Sequence, residues 1–217
     1  YKGSMKKRIL LLLLFVLQIL LFHYIFAQAE SPNNYLKGKF YNSVKDHFII
    51  ATKKMNDNRF KKTVIAMLQN DKDGSWGLVI NKPMGPVPIA LLINPSLSTA
   101  EERKELYKVK VTVFWGGPVE TEKIFILHSN EYQSDTTNNY GSLSVSQDHD
   151  ILFDIAKNKG PEKSLVILGY SGWGGGQLEG EMERDHWILS NIDLDITFDK
   201  KSKTKWNKAY KNSFIKI

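Results

Sequence analysis

Residues 168–181 read LGYSGWGGGQLEGE, with five glycines between Gly169 and Gly176, Tyr170 and Trp173 among them, and Glu179 and Glu181 close behind. Glycine loses more backbone freedom on folding than any other residue, so such a run is kept where the chain needs positive φ or a close approach by another group. The apolar stretch 164–168 reads as a strand feeding this run, and residues 177–183 begin a helix after it. A strand that passes through a glycine turn into a helix implies mixed α and β structure, and the turn marks the place of a site without naming its chemistry.

The rest of the chain supplies partners for that strand. Residues 47–52, 63–68 and 76–81 are short apolar strands, the last two joined at Asp73-Gly74, a hairpin signal. Pro83, Pro86 and Pro88 donate no backbone N–H and are expected to stop the sheet there, with a short helix at 89–93 and a charged segment at 99–108 to follow. Residues 109–115 and 123–128 read as a strand pair around the tight corner Gly116-Gly117-Pro118-Val119, and 129–142 as an exposed polar loop. Ser146 is the expected N-cap of a helix with Asp148 and Asp150 in its first turn, ended by Gly160-Pro161. Residues 187–191 and 195–198 read as closing strands. Trp206, Tyr210 and Phe214 recur at helical spacing, which puts three aromatics on one face of a C-terminal helix at about 204–214. Docking of that face on the core is the expectation; a membrane surface or single-stranded nucleic acid is the alternative.

The N-terminus has a different character. After Tyr1 to Ser4, which look vector-derived, come Lys6, Lys7 and Arg8, an apolar run over 9–26, and Ala27-Gln28-Ala29. This is the pattern of a secretory signal peptide, although the apolar run approaches the roughly 20 residues that span a bilayer, which makes an uncleaved anchor the alternative. The expected organisation is therefore a leader over 1–29 and one domain over 30–217. A genuine leader implies a periplasmic or membrane-anchored protein, with membrane contact only through the uncleaved leader.

The formal charge of +7 belongs to the termini. Residues 1–29 hold four basic and no acidic side chains, and residues 200–217 hold seven lysines and no acid, leaving 19 basic against 23 acidic residues, a net −4, for the body. A general nucleic-acid surface needs basic charge spread over a face, so no strong nucleic-acid signal is present. There is no cysteine, which excludes disulfides, thiolate zinc sites and cysteine nucleophiles. His47, His128, His149 and His186 are scattered, with no H-x-x-x-H pair, and no metal or cofactor is expected.

Several segments, taken in order, resemble the YqgE/AlgH family of bacterial proteins. They are Ala51-Thr52 with Met55, Asp57 and Phe60; Thr63-Val64; Gly77 to Pro83; Gly116-Gly117-Pro118-Val119; Phe125 to His128; Leu168 to Trp173 with Gly176-Gln177-Leu178-Glu179, Glu181 and Trp187; and Trp206 with Ala209. The chain departs from the family at Lys53 and Asn58, where prolines are usual, and at Ser171, where alanine is usual. The resemblance implies an α+β fold, a single domain of coiled, barrel-like mixed β-sheets flanked by helices, with no settled activity. Members are usually read as cytoplasmic, and some are labelled transcriptional regulators of exopolysaccharide synthesis.

Three chemistries compete for the glycine motif. A nucleophile elbow needs G-x-S-x-G, but in Gly169-Tyr170-Ser171-Gly172 the second glycine falls one position early. A phosphate cradle needs a Gly-Lys-Ser/Thr end, which is missing. The third is a binding cleft. Helical spacing pairs Gln177 with Glu181 and puts Glu179 on another face. Together Thr52, Asn81, His128, Tyr170, Trp173, Gln177, Glu179 and Glu181 are the expected lining of one polar-aromatic cleft. The leading expectation is a non-catalytic binding or regulatory domain whose partner is a protein or a small molecule. The alternative is a hydrolase-like enzyme using His128 with Glu179 or Glu181 as acid and base.

Overall fold

The computed structural model describes residues 44–213. The leader and Phe214 lie outside the described residues. In chain order the elements are β1 (His47–Ala51), β2 (Val64–Asp71), β3 (Gly74–Val79), β4 (Pro83–Pro88), α1 (Ala100–Lys108), β5 (Lys110–Trp115), β6 (Val119–Ser129), β7 (Asn138–Tyr140), β8 (Leu143–Ser146), α2 (Asp150–Ala156), β9 (Ser164–Gly174), α3 (Gln177–Glu183), β10 (Trp187–Asn191), α4 (Leu194–Thr197) and α5 (Ser202–Lys211), with short 3-10 turns at Ile89–Leu91 and Pro95–Leu97.

Ten strands form one curled, mixed sheet in the order β10-β1-β2-β3-β9-β6-β8-β7, with the pair β4-β5 joined to it through β9. β9 is the spine. Its first half pairs in parallel with β5, its second half antiparallel with β3, and β6 runs along its other edge. This α+β architecture is the expected fold class.

Alternation along the strands divides the interior. In β1 and β2, Phe48, Ile50, Val64, Ala66 and Leu68 face one core, where Trp206 and Tyr210 of α5 also pack. Ile49, Ala51, Ile65 and Met67 face a second core closed by Leu178 and Met182 of α3 and by Trp173 and Trp187. These strands are apolar on both faces because a helix covers each side, and period-2 side-chain geometry sends neighbours to opposite layers. A third cluster, built on Ile89, Leu106, Val113, Ile126, Ile151 and Val166, lies in the β4–β6 half with α1 and α2. α1 starts with a capping box between Thr99 and Glu102.

Several expectations are corrected. The prolines do not stop the sheet: β4 runs from Pro83 to Pro88 and pairs with β5. It has only this one partner among the described residues, and proline is tolerated at an edge where no N–H is needed. β5 and β6 are not a pair, since β9 lies between them and bonds to both. Ser146 ends β8 rather than capping α2, and Asp148 instead accepts the Ile151 N–H at 3.0 Å. The loop at 129–142 contains β7, and 195–198 is part of a helical turn, not a strand. That turn forms because the Asp193 carboxylate accepts the N–H groups of Asp195 and Ile196. The aromatic face of the C-terminal helix does dock: Trp206 donates its indole N–H to the Ala51 carbonyl at 2.8 Å.

Among the described residues, no helix is long and apolar enough to cross a membrane.

Candidate functional site

Most of the glycine motif is strand, not loop. β9 continues to Gly174, with Trp76 opposite Gly172 and Ser75 opposite Trp173. The glycines here and in the facing corner permit crowding: a Cβ on Gly169 would lie 2.8 Å from the Gly117 carbonyl oxygen, and one on Gly117 2.2 Å from the Tyr170 carbonyl carbon and oxygen. The turn proper comes at Gly176, whose φ of +78° lets the chain reverse directly into α3.

That reversal lays α3 beside the end of β9 and locks one carboxylate between three donors. Glu181 Oε2 accepts the indole N–H of Trp173 at 3.1 Å and of Trp187 at 2.7 Å, and its Oε1 accepts from Gln177 Nε2 at 3.1 Å. The Gly174 N–H in turn donates to Gln177 Oε1 at 3.2 Å. Two indole donors on one carboxylate oxygen fix both rings, and the rings sit edge to face with centroids 6.0 Å apart. Phe60 closes the aromatic cluster, 5.7 Å from Trp187 and 5.6 Å from Trp115.

Against this wall lies a cleft of about 340 Å³. The turn after β1 contributes Asp57 and Arg59, which form a forked ion pair with Nη2 to Oδ2 at 2.7 Å. That hydrogen-bonded guanidinium holds the Asp57 carboxyl below its ordinary range. The far rim carries Arg184 and His186, whose side chains make no hydrogen bond or ion pair among the described residues. A second cleft of about 550 Å³, lined by Trp76, Tyr170 and Phe125 with Gln69, Asp71 and Lys123, shares Gly172 and Trp173 with the first.

The eight residues expected to share one cleft separate by role. Trp173, Gln177 and Glu181 come together as described. Tyr170 belongs to the second cleft, where its ring meets Trp76 edge to face at 5.8 Å. Thr52 braces the rim: its hydroxyl donates to the Asp185 carbonyl, and its backbone N–H to the His186 carbonyl at 2.9 Å. Asn81 ties β2 to the preceding turn, accepting from the Val64 N–H and donating to the Lys62 carbonyl. Glu179 is buried beneath α3 and accepts from Asn70 Nδ2 at 3.2 Å, anchoring the helix to the β2–β3 hairpin.

His128 is elsewhere. It pairs with Ser164 at the start of β9, nine residues and therefore about 30 Å of extended strand from Trp173. Its ring is fully buried, with Nδ1–H donating to the Ser129 carbonyl at 2.9 Å and Nε2 accepting from the Ser146 hydroxyl at 3.0 Å. Burial lowers its pKa from the usual imidazole value. Ser171 is likewise buried in mid-strand, donating to the Gly116 carbonyl at 2.9 Å. Its hydroxyl is not presented on a nucleophile elbow. Among the described residues no group of three or more His, Asp or Glu converges on a point that would hold a metal.

Phe60, Arg59, Arg184 and His186 escape the sequence reading as cleft residues. They lie in two turns far apart in the chain, and only the pairing of β1 with β10 brings those turns together.

Comparison with known proteins places this architecture. A family model described as AlgH-like (DUF179) matches residues 48–217. The chain belongs to the AlgH-like family. The UPF0301 protein AlgH of Pseudomonas aeruginosa is 37% identical over 164 residues, covering 72% of this chain and 81% of that protein. A UPF0301 protein of Shewanella sp. strain ANA-3 is 34% identical over 168 residues, covering 77% of this chain and 89% of its own. The solution structure of P. aeruginosa AlgH superposes with a TM-score of 0.66 at 34% identity, over 78% of this chain and 88% of that one. The protein DIP2367 of Corynebacterium diphtheriae shares the fold at a TM-score of 0.56 and 12% identity. The AlgH-like family is one of uncharacterised function.

Proposed function

We propose that this AlgH-like protein is a non-catalytic binding domain, and that its ligand enters the cleft between Trp173, Trp187 and the Arg184–His186 turn. The observation that carries this reading is the contrast within the cleft. Its wall is fixed in advance by the Glu181 clamp, while the Arg184 and His186 side chains on the rim have no partner among the described residues. A preorganised wall lowers the ordering cost of binding, and an unpaired guanidinium beside an imidazole suits a carboxylate or phosphate group. Regulation would follow if a partner reads the ligand-bound surface.

A hydrolase built on His128 with Glu179 or Glu181 finds no support in this geometry. The imidazole and the carboxylates lie at opposite ends of β9, and each is occupied by hydrogen bonds within the fold.

The test uses the indoles as reporters. Full-length protein is titrated with succinate, inorganic phosphate and a phosphate monoester, following tryptophan fluorescence and thermal stability. At least one dianion should quench fluorescence and raise Tm, and Arg184→Ala with His186→Ala should remove both effects while leaving the circular dichroism unchanged. A panel without effect, or a double variant that still binds, would refute the siting.

A further inference from the structure

A second concavity of about 980 Å³ shares no lining residue with the Trp173 cleft, and its volume is at the upper end of the range for small-molecule sites. Its floor is apolar, made by Phe114 of β5, Leu165 of β9 and Phe198. Its rim at the start of α5 is cationic, with Lys200, Lys201 and Lys203 lining it and their ammonium groups in no ion pair among the described residues. The first turn of α5 contains no acid, and the one carboxylate at this end, Asp199, accepts the N–H of the N-cap residue Lys201 from outside the helix. Ser202, between those lysines, is only 8% exposed, and its hydroxyl, which makes no hydrogen bond among the described residues, keeps its opening toward the trough it lines.

Among the described residues, the acids nearby do not pair with the ammonium groups of Lys200, Lys201 and Lys203. The Asp199 carboxylate already accepts from Lys208 Nζ at 2.6 Å, the Lys201 N–H at 2.8 Å and the Thr204 hydroxyl at 3.3 Å. Glu162 stands beside Lys163, whose ammonium is 3.8 Å from the exposed Asp195. Three unpaired ammonium groups, a hydroxyl free to donate and an apolar floor therefore occupy one trough.

We propose that this trough binds a fatty-acyl carboxylate. The head group accepts from Ser202 Oγ and lies among Lys200, Lys201 and Lys203, and the hydrocarbon chain covers Phe114, Leu165 and Phe198. The pairing of features selects this occupant: a free inorganic anion leaves the apolar floor wet, a neutral lipid leaves the ammonium groups unpaired, and a cationic amphiphile meets like charge.

The test is isothermal titration of the full-length chain with dodecanoate below its micellar concentration, against dodecyltrimethylammonium and inorganic phosphate. Dodecanoate should bind one to one and the other two should not. Replacing Lys200, Lys201 and Lys203 together by alanine should weaken dodecanoate by about tenfold or more, and Ser202→Ala should weaken it severalfold, with secondary structure and Tm retained. Thr112→Asp, at an exposed position along the floor, is expected to weaken the chain contact without touching the lysines. Equal binding of the cationic amphiphile, phosphate binding as tight as dodecanoate, or dodecanoate affinity indifferent to both the lysine and Thr112 variants would each overturn the proposal.

Discussion

Lys205 is fully buried, and among the described residues no carboxylate shares its site at ion-pair distance. Its ammonium donates to the Ile80 carbonyl at 2.9 Å, just past the end of β3, and to the Thr197 carbonyl at 2.6 Å, at the end of α4, and lies 5.3 Å from the centre of the Phe114 ring. Burial pulls its pKa from 10.5 down to about 8, against the attraction of Asp199. The sign of the consequence is the reverse of that for an ordinary salt-bridged group. Below about pH 8 both the folded and the unfolded chain carry the proton, and the fold bears the full cost of a buried charge. Between about pH 8 and 10.5 the unfolded chain holds more protons than the native one, so stability rises with pH. From pH 7 to 9.5 the gain is about 2 kcal/mol, with a ceiling of about 3 kcal/mol, which corresponds to a rise of roughly 4–8 °C in Tm for a chain of this size. Urea unfolding at the two pH values measures it. Lys205→Met keeps the side-chain length and removes the titrating group, so the difference between wild type and variant should change by about 2 kcal/mol across that interval, whatever the variant costs at pH 7. Wild-type and Lys205→Met series that run parallel in pH would refute the reasoning.

Other perturbations address the wall of the Trp173 cleft and the spine strand. Glu181→Ala leaves two buried indole N–H groups without an acceptor and is expected to cost about 2–4 kcal/mol in urea unfolding, with a shifted tryptophan emission. Gly117→Ala would drive a methyl into the Tyr170 carbonyl at a φ of +153°, so a loss of about 3 kcal/mol or more, or failure to accumulate as soluble protein, is expected. Ser171→Ala removes one hydrogen bond to the Gly116 carbonyl and should cost only about 1 kcal/mol, leaving dianion binding at the Arg184–His186 rim unchanged. A variant of Ser171 that folds yet loses binding would contradict a purely structural hydroxyl.

Local signals hold wherever one residue's own chemistry settles the outcome. The hairpin between β2 and β3 is stabilised by the Asp71 carboxylate, which accepts the N–H groups of Asp73 and Gly74, a short-range device visible as Asn-Asp-Lys-Asp-Gly. The i, i+4 pairing of Gln177 with Glu181 and the docking of Trp206 and Tyr210 are also periodicity arguments that the fold bears out. Misreadings arise where a residue's role depends on something distant. Pro83, Pro86 and Pro88 look like strand breakers until β4 is seen to have a partner on one side only. Ser146 looks like a cap until His128 takes its hydroxyl. Asp193 is the local signal that the sequence reading misses, a cap that turns 194–197 into a helix.

By itself the sequence determined the α+β character, the strand-glycine-helix order of 164–183, and the spacing that joins Gln177 to Glu181, because backbone propensity, side-chain period and glycine's freedom act within a few residues. Only the tertiary structure decided which polar groups meet. It placed His128 and Glu181 at opposite ends of β9, brought Arg59 and His186 to one cleft, and gathered Lys200, Lys201 and Lys203 over β5. Those outcomes depend on the curl of the sheet and on β9 being shared by β3, β5 and β6, and such long-range pairing leaves no periodic trace along the chain.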